Sequence, residues 1–251
     1  MAAFSDRVDT VLEVEMVPHP AVTVIFDLGD GPLTIDDGSG RQQRERVVAG
    51  LVPQGVRGRG AAGSFECLQV RLSPVVAHAV LGAAAELSGA VVALDDLWGR
   101  EAARIQEQLR AARSWENRFA IAEVALARRV DAGRAVDPEV AFCWEQMRAG
   151  RGRVRVERLA TEVGWSRKRL WSRFRSQIGL TPKHAARLIR FDDAAHRLAA
   201  GHSAAAAATE SGYADQSHLH REVVAFAGST PATVATAPFL AIDDVAWPDV
   251  G

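Results

Sequence analysis

Two stretches of this 251-residue chain place cationic, amide, hydroxyl and indole side chains at helical spacing. In the first, Leu170, Phe174 and Ile178 repeat at i, i+4 and i+8, which leaves Arg167, Lys168, Trp171, Ser172 and Arg175 on the outer side. In the second, Leu219 and Val223 face inward and Gln216, Ser217, His220 and Arg221 face outward. An α-helix fits the major groove of B-DNA and its first residues reach base edges. Arginine and lysine suit guanine acceptors, glutamine suits adenine, and an indole can pack on sugars or thymine methyls. Arg151, Arg153, Arg155, Arg169 and Arg173 suit phosphates, which add affinity without sequence information. His218 and His220, two residues apart, point to different helix faces and do not form a metal pair.

The elements that must carry these residues are legible. Val156, Leu159, Ala160 and Val163 fall at i, i+3, i+4 and i+7, the apolar stripe of a short helix. Gly164 follows where a helix end favours a left-handed residue. Ser166 is suited to cap the next helix. Helix, glycine turn and helix together make a helix-turn-helix unit, and the small Ala160 lets its helices approach closely. Thr181 and Pro182 then start a helix predicted to reach about Ala199, with Leu188, Phe191, Ala195 and Leu198 as its apolar stripe. At 1.5 Å per residue it spans about 27 Å, enough to hold two recognition helices roughly one DNA turn apart without dimer symmetry. The pattern then repeats. Gly164-Trp165-Ser166 and Gly179-Leu180-Thr181-Pro182 return as Gly212-Tyr213-Ala214 and Gly228-Ser229-Thr230-Pro231, with one extra residue before Leu219. A duplicated supersecondary unit is implied, and Asp215 is the expected cap of its recognition helix.

Composition sets the frame. Apolar residues make up 48% and charged residues 24%, so the chain can bury a core. No run approaches the roughly 18 apolar residues of a membrane helix. The first residues, Met1 to Asp6, lack a secretory signal pattern. Cys67 and Cys143 fit no metal or redox spacing, which excludes a disulfide framework and points to a reducing cytoplasm. The net charge of -1 hides a division. From Arg148 to Arg190, thirteen basic residues face only Glu157 and Glu162, a net of +11, and the remainder is correspondingly acidic. Such separation points to a polyanion-binding module joined to a second domain.

Residues 138–235 resemble the DNA-binding domain of the AraC/XylS family of transcriptional regulators. The likeness rests on Val163-Gly164-Trp165-Ser166-Arg167-Lys168-Arg169-Leu170, on Ile178-Gly179-Leu180-Thr181-Pro182-Lys183, on Arg190-Phe191, and on Gly212-Tyr213-Ala214-Asp215-Gln216-Ser217-His218-Leu219. It implies seven helices, two helix-turn-helix units and promoter control through contact with RNA polymerase. It also implies base reading by Lys168, Trp171 and Ser172 in the first unit and by Gln216, Ser217 and Arg221 in the second. The sequence departs from the family in two places. Ala204 to Ala208 replace a large aliphatic residue, and the aromatic expected at Val223 is missing, with Phe226 shifted. The second unit is also nearly uncharged, Arg221 being set against Asp215 and Glu222, so the first unit is expected to dominate affinity.

The fold expected is α+β: a strand-rich, cupin-like domain with trailing helices over residues 1–135, an all-α DNA-binding domain over 136–238 and a tail over 239–251. In the first part, Val22 to Phe26 and Leu33 to Ile35 read as a hairpin around Leu28-Gly29-Asp30-Gly31-Pro32. Asp36 to Gly40 is a turn, and Val47 to Val52 and Phe65 to Leu72 are strands. Helices follow over Val75–Leu87, Leu97–Arg113 and Trp115–Val130, and Asp137 caps a further helix at Pro138. Leu94 to Gly99 also resembles an amino-terminal region of AraC-like proteins. Turn chemistry rather than calcium accounts for Asp27, Asp30, Asp36 and Asp37. An apolar effector pocket lined by Phe26, Phe65 and Trp98 is expected, as is a homodimer seam over Leu97–Val130. No cofactor is expected. The reading is a sequence-specific transcription regulator that is not an enzyme and binds double-stranded DNA, with a small-molecule effector at its first domain. Alternatives are a cupin-type metal enzyme, for which His19 and His78 alone supply too few ligands, a DNA-repair transferase acting through Cys143, and a non-specific nucleic-acid binder.

Overall fold

The computed structural model describes residues 1–8, 12–31, 33–52, 55–60, 63–82, 85–237 and 240. They form two compact units, one over residues 1–16 and 21–135 and the other built on residues from Val136 onward. Residues 241–251, most of the tail, lie outside the described residues.

The first unit contains β1 (Ala2–Val8), β2 (Leu12–Glu15), β3 (Val22–Asp27), β4 (Leu33–Asp36), β5 (Gln42–Arg44), β6 (Arg46–Ala49), β7 (Arg57–Gly60), β8 (Gly63–Leu72), α1 (Pro74–Leu81), β9 (Val91–Ala93), α2 (Asp95–Trp98), α3 (Arg100–Ala111) and α4 (Trp115–Ala132). The strands make two antiparallel sheets, ordered β1-β8-β3-β6-β9 and β2-β7-β4-β5. Ile25, Val47, Ala49, Cys67 and Val91 of the first sheet pack with Leu33 and Ile35 of the second.

Four expectations are corrected here. β3 and β4 are not a hairpin: β3 lies between β8 and β6, whereas β4 lies between β7 and β5. The turn after Asp27 is a crossover between sheets, and the Asp27 carboxylate pins it by accepting the N–H of Leu33 (2.9 Å) and of Gly29 (3.2 Å). Pro32, part of the expected turn, lies outside the described residues. The real hairpin is β4–β5, where the Asp37 carboxylate accepts the N–H of Ser39 and of Arg41. The helix expected over Val75–Leu87 stops at Leu81, where Gly82 is left-handed at φ +72°, and β9 follows. The helix expected over Leu97–Arg113 is two, divided at Gly99. The aromatic pocket does not assemble as drawn. Phe26 pairs with Leu68 and Ile25 with Gln69. Successive strand residues point to opposite faces, so Phe65, which packs on the inter-sheet cluster, and Phe26 lie on opposite sides of the sheet.

Polar groups also bind the trailing helices to the sheets. Arg46 makes a two-point pair with Asp95 (2.9 and 3.1 Å) and a third bond to Gln106. The buried Gln106 donates to the Asp27 carbonyl at 2.6 Å, so a single amide joins α3 to β3. The Trp98 indole donates to the Val80 carbonyl (3.2 Å).

The second unit is helical: α5 (Pro138–Ala149), α6 (Val156–Glu162), α7 (Arg167–Ile178), α8 (Pro182–Ala199), α9 (Ala204–Glu210), α10 (Gln216–Ala227) and α11 (Pro231–Ala235). Its core gathers Trp144, Leu159, Leu170, Phe174, Ile178, Leu188, Phe191, Leu219, Val223 and Phe226, all essentially inaccessible to water. Phe226 stacks on Phe191 with centroids 5.1 Å apart. The aromatic missing at Val223 is thus supplied three residues later along the same buried face. α9 forms on its five alanines with Ser203 as its cap, and Ala207 and Ala208 are buried.

Candidate nucleic-acid interface

Each helix-turn-helix is built by the same local chemistry. After α6, Gly164 is left-handed at φ +66° and the Trp165 N–H donates to the Ala160 carbonyl (2.9 Å). After α9, Gly212 has φ +75° and the Tyr213 N–H donates to the Ala208 carbonyl (2.8 Å). These bonds close the orphan carbonyls of a helix end, with glycine taking the conformation a side chain would strain. Ser166 Oγ then accepts the Arg169 N–H (3.2 Å) and Asp215 Oδ1 accepts the His218 N–H (2.7 Å), capping α7 and α10. The extra residue of the second copy, Ala214, sits in its turn, so the repeat is spatial despite the offset.

All nine side chains singled out by sequence lie at the surface of the unit. Arg167, Lys168, Trp171, Ser172 and Arg175 are exposed along α7, and Gln216, Ser217, His220 and Arg221 along α10. Trp171 is 46% exposed, an uncommon position for an indole in a free surface. The Arg175 guanidinium lies 5.2 Å over its ring, and Arg169 lies 4.5 Å over Trp165. Such stacks hold long cationic side chains in place while leaving their donors available. Lys168, Arg155 and Arg221 have no ion-pair partner among the described residues, whereas Arg167 approaches Glu157 at 3.8 Å. His218 packs edge-on against Tyr213 while His220 is exposed, so the two do not converge.

Sequence reasoning missed the acids that brace these helices. Glu222, in a charge count an acid opposing Arg221, is buried and accepts from Arg187 (2.8–3.2 Å) and Arg190 (3.4 Å) of α8. Burial alone would raise its carboxyl, but the bonds and charges of these arginines outweigh burial and hold it below its ordinary value. The signal was present: 219, 222, 223 and 226 fall at i, i+3, i+4 and i+7, so an acid stood within the inward stripe. Asp193 of α8 is the second hub. It accepts from Arg151 (2.7 Å), Arg197 (3.1 Å) and the Ser211 hydroxyl at the end of α9 (2.7 Å). Burial opposes ionisation there too, and the three donors overcome it. The third acid is Asp137. Its side chain makes no cap bond to α5. It instead binds Arg173 of α7 at two points, 2.7 and 2.8 Å. Arg151 and Arg173, expected at phosphates, are therefore paired within the protein.

Cys143 is fully buried in α5, and burial pushes its thiol up to about 11. A thiol held protonated in this way is a poor nucleophile, which weighs against a transferase. Among the described residues no three His, Cys, Asp or Glu side chains gather as a metal site. None of their helices is long and apolar enough to cross a membrane.

Two capped, glycine-turned helix pairs on one strut define a double helix-turn-helix domain. Residues 159–237 match the family described as helix-turn-helix domain. No curated protein matches the sequence. Solved structures similar to the chain include ToxT from Vibrio cholerae, at 10% identity with a TM-score of 0.50 over 95% of this chain and 97% of that one. An apo variant of ToxT gives 10% and 0.52 over 94% and 98%. ToxT bound to (E)-4-(8-methylnaphthalen-1-yl)but-3-enoic acid gives 10% and 0.52 over 96% and 98%. At these identities the likeness is one of fold: a strand-rich amino-terminal part followed by a helical carboxy-terminal part.

Proposed function

We propose that the chain is a sequence-specific transcriptional regulator that lays α7 and α10 into successive major grooves of one DNA duplex. The observation that carries this reading is the exposed row on α7, Lys168, Trp171, Ser172 and Arg175, presented by a capped helix whose opposite face is fully buried. Lys168, Trp171 and Ser172 read bases in the first groove, with Arg175 steadied on the indole. Gln216, Ser217 and Arg221 read the second, and His220 stands beside them. Arg155, Arg167 and Arg169 hold phosphates. Residues 136–238 are the DNA-binding domain on this reading and 1–135 the sensing domain. The ligand carried by the ToxT structure favours a small organic effector for the double-sheet unit. Homodimerisation and contact with RNA polymerase complete the proposal. No residue is assigned a catalytic role.

Selection of bound fragments from random duplex, followed by sequencing, tests the reading. The expected result is a motif with two blocks about one helical turn apart, whose first block changes in Lys168→Ala. Recovery of no preferred sequence, with affinity set by salt alone, would refute it. A thermal-shift screen of metabolites tests the effector separately.

A further inference from the structure

Asp137 occupies the residue position that caps α5, and aspartate is among the best capping residues, yet its carboxylate turns away to α7. There it accepts Nε and Nη2 of Arg173 in the two-point geometry by which arginine also grips a phosphate. Arg173 lies on the flank of the recognition helix. Arg169, Arg173 and Ser176 form one row at i, i+4 and i+7, beside the row of Lys168, Ser172 and Arg175. A flank cation at this place is positioned for the backbone rather than for bases. The backbone of Asp137 is anchored independently, since its N–H donates to the buried Gln177 side chain of the same helix at 2.8 Å. The carboxylate is therefore not needed to hold the start of α5, and Arg173 is half exposed, so its side chain can swing from the carboxylate into solvent.

We propose that Asp137 is an internal phosphate surrogate: it occupies Arg173 in the free protein and withholds one backbone contact from DNA. This rests on the reading of α7 as a recognition helix. The pair contributes no net charge to the interface, whereas an unpaired Arg173 contributes one. Each added phosphate contact steepens the dependence of log affinity on log salt by about 0.9.

The test titrates the full chain and Asp137→Asn against a duplex selected by the wild type, over a salt series. Asparagine caps a helix as well as aspartate, and thermal melts establish that the variant is folded. The variant is expected to bind more tightly at about 50 mM salt, and its advantage to shrink about 3.5-fold by about 200 mM, the consequence of one more contact at 0.9 per contact. Arg173→Gln should change little in the wild type and abolish the gain in Asp137→Asn. Equal or weaker binding by the variant, parallel salt lines, or a large loss from Arg173→Gln in the wild type would each overturn the proposal. If selection yields no preferred duplex, the functional reading fails, but the same titration on random duplex still decides the fate of the surrogate, because phosphate contact is independent of sequence.

Discussion

Glu222→Gln isolates the joint between the strut and the second recognition helix. The Glu222 side chain is 6% exposed and holds two guanidinium groups. The amide retains its shape but removes the charge. Arg187 is 40% exposed and can turn to water when released. Arg190 is 20% exposed and lies 4.5 Å over the Tyr213 ring, so it stays where it is with its charge uncompensated. Breaking a buried pair costs about 3–5 kcal/mol. Discounting for the part that escapes to solvent leaves about 2–3 kcal/mol. In a unit of this size each kcal/mol moves the melting temperature by about 4–8 °C, so a fall of roughly 10–20 °C is expected in the transition of the helical unit, followed by tryptophan fluorescence and calorimetry. The pH dependence gives a second reading. The folded carboxyl lies below its unfolded value, so its stabilisation is present above the ordinary carboxylate range and fades as pH falls through the folded value. The gap between wild type and Glu222→Gln should therefore be full near neutrality and close in acid. A loss under about 0.5 kcal/mol at neutral pH, or a gap that widens in acid, would refute the reasoning.

Arg167→Ala with Lys168→Ala should weaken binding to a selected duplex far more than Gln216→Ala with Arg221→Ala in titrations at one salt concentration; equal losses would count against the first unit as the main source of affinity. Gly152→Ala should destabilise the helical unit by more than about 2 kcal/mol in urea unfolding, because φ is +70° and the new Cβ would lie 2.1 Å from the Ala186 carbonyl oxygen. Gln106→Ala should cost the double-sheet unit about 1–3 kcal/mol, since it strands the Asp27 carbonyl and one Arg46 donor; a neutral melt would exclude the amide as a tie between α3 and β3.

The helical unit was readable because its signals are local. Thr181-Pro182 and Ala199 bound α8 as the sequence indicated, and Ser166 and Asp215 cap the helices they were expected to cap. The strands were readable too, but their partners were not. The β-branched and aromatic residues of Val22–Phe26, resumed in Leu33–Ile35, identify extended segments and say nothing about which sheet each joins, and the intervening turn residues serve a crossover as well as a hairpin. β9 escaped because three apolar residues are too short a run to show a period; its pairing with β6 is a tertiary choice. At the interface, sequence located the outward side chains but counted charges without their partners. Arg151, Arg173, Arg187 and Arg190 all belong to the +11 segment, and each is met by an acid from elsewhere: Asp193, Asp137 and Glu222.

Those pairings bear on how the two helices would divide the work. The three arginines of α8, Arg187, Arg190 and Arg197, are each paired with an acid of the protein, so the strut contributes mainly geometry, fixed to α9 through Asp193 and Ser211 and to α10 through Glu222. α7 carries five cations, Arg167, Lys168, Arg169, Arg173 and Arg175, while α10 carries Arg221 together with uncharged donors and acceptors. Contacts that release counterions weaken as salt rises, whereas hydrogen bonds from glutamine and serine to base edges do not share that dependence. The salt slope of binding is therefore expected to come mainly from α7, with Arg155 beside it. Discrimination by α10 should persist where overall affinity has fallen, provided the Glu222 joint keeps that helix at its angle to the strut. On the proposed reading both helices meet bases, but α7 supplies most of the charge, and α9 and α10 are fixed to the strut by Asp193 and the buried Glu222, acids that a count of surface charge assigns to the wrong side.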